Sequence, residues 1–343
     1  MTENRQILLS SRPLGLPKST NFQFVQGEIP SADDGELLCR TLFLSVDVQQ
    51  RPRMAEKQSP LGTVEIGEPM AGTTISEVVV ANAGGFAPGD IVVCEGGWQD
   101  YAAVPADQVR KLDPQAYPPS WALGLIGEAG LAAKIGIERI ARPQAGETVM
   151  VSSAAGVVGG IAGQLAKRLG CRVVGVAGSP AKCDYVVNEL GFDACINYKS
   201  DGFLAQLQSA CPDGVNVYFD NVGGRTLEAA ARMMVHGTRV VVCGGTSWYN
   251  VTELPPGPDR TLLLLHSILL NRGRMEGFCV ADYADEAPAM LAELEALAVA
   301  GELVYREEIT DGLESAPEAL KGIFIGRNTG KQVVRVATET LVG

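Results

Sequence analysis

The sequence has few histidines and no closely spaced cysteines. Its 343 residues include two histidines, His236 and His266, and eight cysteines that are dispersed along the chain. A structural zinc lobe needs four closely spaced cysteines, and catalytic zinc needs Cys, His or carboxylate ligands held together. Glu68 has no neighbouring histidine, so the sequence argues against zinc. We interpret both histidines as turn or packing residues rather than catalysts.

Basic clusters and long apolar runs are also missing. The formal net charge is -12 and the Lys and Arg residues are scattered, which argues against a nucleic-acid or anionic-membrane partner. The most apolar stretch, Thr261 to Leu270, is about half of the roughly 20 residues that span a bilayer. Residues Met1 to Gln6 are polar, unlike a secretion signal. With the dispersed cysteines, these features predict a cytoplasmic protein.

What is present is typical of a two-domain α/β enzyme. The length favours two domains, and 40 glycines suit many tight turns between strands and helices. Short strands fill residues 6–109, whereas from Trp121 strands and helices alternate, which predicts a parallel sheet. We therefore predict a doubly wound, Rossmann-type domain at 123–302, inserted into a β-rich substrate or catalytic domain formed by 1–122 and 303–343.

The alternating part divides into strands and helices that can be bounded individually. The predicted strands are Thr148–Ser152, Arg172–Ala177, Ala194–Asn197, Val215–Asp220, Arg239–Cys243, Met275–Val280 and, in the tail, Lys331–Val336. The predicted helices are Val157–Leu169, Pro180–Leu190, Phe203–Ala210, Arg225–Met234, Leu262–Asn271 and Ala284–Val299.

The strongest local motif follows the first of these strands. Ala154 stands at the first glycine position of a dinucleotide fingerprint, and Gly156 and Gly159 occupy the other two. Gly156 would let the backbone approach a pyrophosphate, the amides of Gly156, Val157 and Val158 would donate to it, and Gly159 would let the helix pack near the strand. The motif predicts a bound dinucleotide.

The choice of dinucleotide depends on the end of the second strand. An NAD site would carry an acidic residue there, whereas this chain has Ser179 and Lys182. A hydroxyl and a cation favour the 2′-phosphate of NADP(H). The alternative is that Lys182 is an ordinary solvated lysine.

The chain resembles the leukotriene B4 12-hydroxydehydrogenase / 15-oxoprostaglandin 13-reductase family, which includes prostaglandin and curcumin reductases of the zinc-independent medium-chain type. The resemblance spans essentially the whole chain. Its most specific stretches are Tyr218-Phe-Asp-Asn-Val-Gly-Gly224 and Asn328-Thr-Gly-Lys-Gln332. It implies a GroES-like first domain, an NADP-binding domain and a homodimer.

The resemblance also implies roles for individual residues. Lys182 and Tyr198 would hold the 2′-phosphate, and Asn221 and Asn328 would bond the ribose and diphosphate, although Asn221 could simply form a turn. The nicotinamide would be lined by residues from the ends of two strands, namely Cys243, Gly244, Tyr249, Phe278, Cys279 and Val280.

Two segments depart from the family pattern near the expected substrate. Val48-Gln-Gln50 replaces the family's Pro-Tyr-Met, and Glu128 stands where the family has Met. Glu128 could favour the oxidised cofactor or act as an acid, or it could be a helix-start residue. Cys94 and Glu95 are weak candidates for the substrate pocket.

The resemblance and the lack of zinc ligands predict NADPH-dependent reduction of the C=C bond of α,β-unsaturated ketones and aldehydes. Tyr249 is the candidate donor to the developing enolate, unless it only packs. Two alternatives stay open: an NADPH quinone oxidoreductase, and an NADP-binding sensor with reduced catalysis.

Overall fold

A computed structural model of the protein describes residues 3–56, 62–253 and 259–337. Their contacts separate two compact units. The first is drawn from Met1–Leu123 and Glu307–Gly343, and the second from Gly124–Arg306. Within the described ranges, no helix combines the length and apolar character needed to cross a membrane.

The strands are numbered along the chain. They are β1 (Asn4–Leu9), β2 (Phe22–Gly27), β3 (Glu36–Ser45), β4 (Thr74–Ala81), β5 (Ile91–Cys94), β6 (Tyr101–Pro105), β7 (Arg110–Lys111), β8 (Thr148–Ser152), β9 (Arg172–Ala177), β10 (Ala194–Asn197), β11 (Val215–Asp220), β12 (Met234–Val242), β13 (Arg274–Gly277), β14 (Glu307–Asp311) and β15 (Lys331–Arg335).

The α-helices are numbered in the same way. They are α1 (Gln50–Arg53), α2 (Glu128–Ile135), α3 (Val157–Arg168), α4 (Pro180–Asn188), α5 (Phe203–Ala210), α6 (Gly224–Ala231), α7 (Thr261–Asn271), α8 (Ala287–Val299) and α9 (Ala316–Phe324).

The second unit is built on a six-stranded sheet whose neighbouring strands are all parallel, in the order β10-β9-β8-β11-β12-β13. The chain moves outward from β8 through β9 to β10 and then returns to the other side of β8 with β11. The strand order therefore reverses between β8 and β11, the position where ligands bind in doubly wound folds. The predicted fold class is confirmed.

Two glycines let α3 lie close to the turn after β8 and to Phe192 before β10. An added Cβ at Gly163 would lie 1.8 Å from Phe192 Cζ, and one at Gly159 would lie 2.4 Å from the carbonyl oxygen of Ser153. The helix ends with two basic residues in its last turn and with Gly170 at φ 80, which suits the left-handed conformation that stops a helix.

The predicted end of the helix Arg225–Met234 and the predicted start of the strand Arg239–Cys243 are both wrong. Helix α6 stops at Ala231, and β12 begins at Met234 rather than Arg239. The register of β12 against β11 shifts inside this segment. The hydroxyl of Thr238 accepts from Val235 N at 2.9 Å and lies 2.7 Å from the carbonyl of Val215, which it can bond. A side chain therefore closes a bulge that strand periodicity does not reveal.

Other differences are at element ends. Helix α8 begins at Ala287, after a 3-10 turn over Val280–Tyr283, rather than at Ala284. Strand β13 ends at Gly277, so Phe278, Cys279 and Val280 follow the strand. Helix α2, strand β14 and helix α9 had no counterpart in the sequence prediction.

The first unit contains a seven-stranded sheet and the β1-β2 hairpin. Its path is β14-β15-β3-β4-β5-β7, with β6 paired to β3. Strand β15 pairs with β3, from Val333 opposite Ser45 to Arg335 opposite Phe43. The tail thus contributes a strand to the sheet of the first unit.

Candidate functional site

A hydrogen-bond network joins the carboxyl ends of β8 and β11. The hydroxyl of Ser152 donates to Asp220 Oδ1 at 3.0 Å, and the amide of Asn221 donates to that hydroxyl oxygen at 2.8 Å. Asn221 Nδ2 also donates to the carbonyl of Ser152 at 2.8 Å. The side-chain amide of Asn221 is therefore already used inside the protein, which supports its turn-forming role and leaves a ribose contact as a prediction.

Asp220 is the centre of this network. Its Oδ1 also accepts from the amides of Val222 and Gly223, both at 2.9 Å, and from the hydroxyl of Tyr218 at 2.8 Å. Asp220 is 1% exposed and Tyr218 is fully buried. Burial and the neighbouring Asp220 carboxylate raise the pKa of Tyr218, so its hydroxyl stays protonated and donates. The network fixes the two turns that border the strand-order reversal.

The fingerprint turn has a strained residue at its start. Ser153 adopts φ 53 although it is not glycine. The amide of Gly156 donates to the carbonyl of Ser153 at 2.9 Å. The turn itself therefore uses the N–H of Gly156, and a contact between this amide and a pyrophosphate stays a prediction. Val157 and Val158 head α3, where first-turn amides have no acceptor inside the helix.

Polar groups converge beyond the ends of β9 and β10. Ser179 caps α4, and its hydroxyl accepts from the amide of Lys182 at 3.3 Å. An added Cβ at Gly178 would lie 3.2 Å from Tyr198 Cε1 and 3.8 Å from Lys199 Cε. Lys199 Nζ lies 5.6 Å from the centroid of the Tyr198 ring. The predicted Ser179, Lys182 and Tyr198 thus lie on neighbouring turns, and Lys199 adds a second cation that the sequence analysis missed.

The end of β12 carries the predicted nicotinamide residues. The amides of Cys243 and Gly244 both donate to the carbonyl of Asp220, at 2.9 and 3.1 Å. Burial, Asp220 and Glu128 raise the pKa of Cys243 to about 12. The thiol therefore stays protonated at neutral pH, and the exposed Glu128 is close enough to influence it electrostatically.

Tyr249 lies on the turn that follows this strand and is half-buried. Burial raises the pKa of Tyr249. A hydrogen bond with the backbone of Gly245 lowers it, but by less, so the pKa stays above its ordinary value. A tyrosine that stays protonated can donate its hydroxyl proton. Phe278, Cys279 and Val280, which follow β13, are also half-buried.

Three further candidates lie in the first unit. Cys94 is 4% exposed and packs in the core with Cys39, Val78 and Val92. Alternation on β5 turns Cys94 inward, so its burial gives no support to a place in the substrate pocket, which stays a prediction. Glu95 forms an ion pair with Arg53 at 3.2 Å. Asn328 Nδ2 donates to the carbonyl of Gly330 at 2.9 Å, and so shapes its own turn.

An ion pair joins Lys331, in the Asn328–Gln332 stretch, to Asp47, which precedes the altered segment at Val48-Gln-Gln50. Lys331 is 1% exposed, and its Nζ bonds Asp47 Oδ1 and the carbonyl of Val46. Gln50 holds the same turn, because its Oε1 accepts from the amide of Asp47 at 3.1 Å. The altered segment at Val48-Gln-Gln50 therefore has a structural role in this chain.

Among the described residues, no group of three or more His, Cys, Asp or Glu side chains is placed to hold a metal ion.

This arrangement defines a class: a two-unit α/β protein with a nucleotide-type fingerprint at the strand-order reversal of a parallel sheet. Family models agree with this class. The model described as the N-terminal domain of oxidoreductase matches residues 5–112, and the one described as zinc-binding dehydrogenase matches residues 157–296.

Individual relatives cover nearly the whole chain. The NADPH-dependent curcumin reductase of Escherichia coli is 42% identical over 335 residues, which are 97% of each chain. Prostaglandin reductase 1 of Rattus norvegicus is 38% identical, covering 94% of this chain and 95% of the relative. The crystal structure of CurA in complex with NADPH from Vibrio vulnificus matches with a TM-score of 0.94 at 39% identity, covering 98% of this chain and all (100%) of the other. The chain belongs to the zinc-independent medium-chain dehydrogenase/reductase family of the curcumin and prostaglandin reductase type, which confirms the resemblance.

Proposed function

We propose that the protein is an NADPH-dependent reductase of the C=C bond in α,β-unsaturated ketones and aldehydes. The observation that carries the proposal is the fingerprint turn at the β8–β11 reversal, in a chain whose relatives are named for NADPH-dependent curcumin reduction and for prostaglandin reduction.

The residues present fit such a cofactor. A Cβ at Gly159 would press on the backbone of Ser153, so only glycine allows this turn to stay close to α3. The first-turn amides of Val157 and Val158 suit the pyrophosphate. Ser179, Lys182 and Tyr198, with Lys199 beside them, offer donors and positive charge to a 2′-phosphate. We propose these residues as the cofactor site, with Asn221 and the strand ends at 243–249 and 278–280 completing it, while the role of Asn328 stays a prediction from the resemblance.

The bound cofactor would supply a hydride to the β-carbon of the substrate. The protein's own part is to hold a proton where negative charge develops on the carbonyl oxygen. Tyr249 is our candidate because it presents a hydroxyl group on the half-buried turn that follows β12. A donor placed at a developing oxyanion typically contributes about 3–4 kcal/mol to transition-state stabilisation.

The test is an assay of NADPH consumption with a panel of enones, enals and quinones, joined to mass spectrometry of the products. The proposal expects saturated ketones and aldehydes, with NADPH preferred over NADH. Turnover of quinones without turnover of any enone would contradict it.

We further propose that two copies of the chain associate through β13 and α7. Strand β13 is the edge of its sheet and all four of its residues are exposed. On α7, Leu262 and Leu269 are each 74% exposed. An unpaired edge beside exposed leucines is the kind of surface that a symmetric dimer buries.

The dimer is tested by light scattering after size-exclusion chromatography. Leu269→Lys should shift the mass from about two chains towards one, because a charge would be buried at the contact. Leu14→Lys, at an exposed leucine of the first unit, is the control. A monomeric wild-type protein would contradict the proposal.

We also propose a cytoplasmic location, which the eight free cysteines support.

A further inference from the structure

Two cysteines lie close in the chain to the residues proposed to hold the 2′-phosphate. Cys183 directly follows Lys182 in the first turn of α4, and Cys195 lies on β10, three residues before Tyr198. Helix α4 packs on β10. The reduction proposed for the protein uses neither thiol, so a separate role for the pair can be asked of the structure.

Alternation along β10 turns the side chain of Cys195 towards one face of the sheet. Its two neighbours, Ala194 and Ile196, pack against the core cluster that contains Phe203 and Leu207 of α5. Successive side chains of a strand point to opposite faces, so Cys195 points to the other face.

That other face is covered by α4. A Cβ added at Gly175, the partner of Cys195 on β9, would lie 3.2 Å from Cys195 Sγ and 3.0 Å from Val186 Cγ1. Val186 belongs to α4, so the sulfur atom of Cys195 lies beside this helix. Cys183 precedes Val186 by three residues, which places the two on one side of the helix, and both are buried. The two thiols therefore face each other between helix and strand.

The pair has the features of a reactive dithiol. A hydrogen bond between the two thiols lowers the pKa of Cys183 and raises the pKa of Cys195, which burial raises further. The amide of Cys183 donates to the carbonyl of Ser179 at 3.1 Å, in the first turn of α4, where the positive end of the helix favours a thiolate. Cys195 is half-buried, which leaves part of the pair accessible to a small oxidant.

We propose that Cys183 and Cys195 are a redox modification site, which hydrogen peroxide converts into a disulfide that weakens the binding of NADPH. Cys183 gives up its proton and attacks one peroxide oxygen; the O–O bond breaks, a sulfenic acid forms, and the leaving hydroxide takes that proton as water. The thiol of Cys195 then attacks the sulfenic sulfur; the S–S bond forms, the S–O bond breaks, and a second water carries away the thiol proton. Two thiols are oxidised and one peroxide is reduced.

The disulfide acts on the cofactor through α4. A covalent bond holds two sulfur atoms closer than a hydrogen bond does, so its formation draws the first turn of α4 towards β10. Ser179 and Lys182 lie on that turn, and Tyr198 follows that strand. This step rests on the proposed function, because these three residues are the proposed contacts of the 2′-phosphate. NADH lacks this phosphate and should be affected less.

The first measurement detects the bond itself. Trypsin cuts after Lys182 and after Lys199 and at no site between them, so both cysteines lie in one peptide, 183–199. After treatment of the protein with hydrogen peroxide, this peptide should be lighter by two hydrogen atoms and should no longer react with iodoacetamide. Dithiothreitol should reverse both changes. An unchanged peptide, or one that carries only sulfinic acid, would overturn the proposal.

The second measurement is calorimetric titration of the reduced and the oxidised protein. Oxidation should raise the Kd for NADPH about 3- to 10-fold, a partial loss of one charge-assisted hydrogen bond, and the Kd for NADH by less than about twofold. Cys183→Ser and Cys195→Ser should each keep the Kd of the reduced protein and lose the response to peroxide. Cys171→Ser is the matched control, since this buried thiol donates to the carbonyl of Gln144 instead, and it should respond like the wild type. Thermal melting confirms that each variant is folded.

The outcomes separate this inference from the proposed function. If the reduced wild type does not bind NADPH, the proposed function fails, and the inference fails with it. If the disulfide forms and the Kd for NADPH is the same before and after oxidation, only the redox switch is refuted. A response that persists in Cys183→Ser, or one that disappears in Cys171→Ser, would assign the effect to another cysteine and would also overturn the inference.

Discussion

Replacing Gly159 by alanine tests whether the fingerprint turn is a cofactor cradle. The new Cβ would lie 2.4 Å from the carbonyl oxygen of Ser153 and 2.9 Å from its carbon, below the 3.0 Å that real contacts respect. Backbone atoms cannot rotate away as a side chain can, so the turn itself must move. The movement is about 0.6 Å or more, which is the difference between the 3.0 Å minimum and the 2.4 Å contact.

The expected effect on stability is small and the effect on binding is large. Overpacking costs about 1–3 kcal/mol, which the better helix propensity of alanine offsets by roughly 1 kcal/mol. A misplacement of about 1 Å can lower the rate of an enzyme reaction about 100-fold. Because the turn would move by a comparable distance, we expect the Kd for NADPH to rise at least about 10-fold.

Gly160→Ala is the matched control for this measurement. Its Cβ would meet the end of the Leu190 side chain at 3.0 Å, which can give way, and the carbonyl oxygen of Ala154 only at 3.4 Å. We expect its Kd to stay within about threefold of the wild type. Calorimetric titration with NADPH measures both variants. Equal Kd values for the two would refute the assignment of this turn to the cofactor.

Three further predictions address other parts of the account. Lys182→Ala should raise the KM for NADPH about 10- to 100-fold, because a charge-assisted bond contributes about 1.5–3 kcal/mol, and should affect NADH much less; parallel losses with both cofactors in steady-state assays would be inconsistent with a 2′-phosphate contact. Tyr249→Phe should lower kcat about 100- to 1000-fold, and an unaltered kcat would remove the hydroxyl from the mechanism. Burial alone would raise the pKa of Glu147, but hydrogen bonds from Arg239 and from the backbone of Gln144 together hold it below its ordinary 4.5; the contribution of Glu147 to stability is therefore present above that value and lost as pH falls below it. Melting temperatures between pH 7 and pH 3 should accordingly fall less steeply for Glu147→Gln than for the wild type, and identical slopes would show that the pair contributes nothing.

Strands in the parallel sheet could be predicted closely because their signal is local. Thr148–Ser152, Arg172–Ala177 and Val215–Asp220 have the predicted bounds. Each is a buried run rich in valine, bounded by residues that form turns. The fingerprint turn could be located for the same reason, since its spacing is contained within one short segment.

What the sequence could not predict depends on contacts between distant residues. Thr238 closes the bulge in β12 through the carbonyl of Val215, which is 23 residues away. The burial of Cys94 in the core could not be predicted, because only its packing shows which side of β5 faces the core. Lys199 was missed as a possible phosphate contact because its nearness to Gly178 depends on how β9 and β10 pair.

The most direct test of the central claim follows the hydride itself. NADPH labelled with deuterium at C4 of the nicotinamide, prepared separately for each face of the ring, is incubated with the protein and 4-phenylbut-3-en-2-one, and the product is analysed by NMR and mass spectrometry. The account predicts 4-phenylbutan-2-one with one deuterium on the carbon β to the carbonyl, from one of the two labelled cofactors. An allylic alcohol labelled at the carbinol carbon, or a saturated ketone without label from either cofactor, would contradict it.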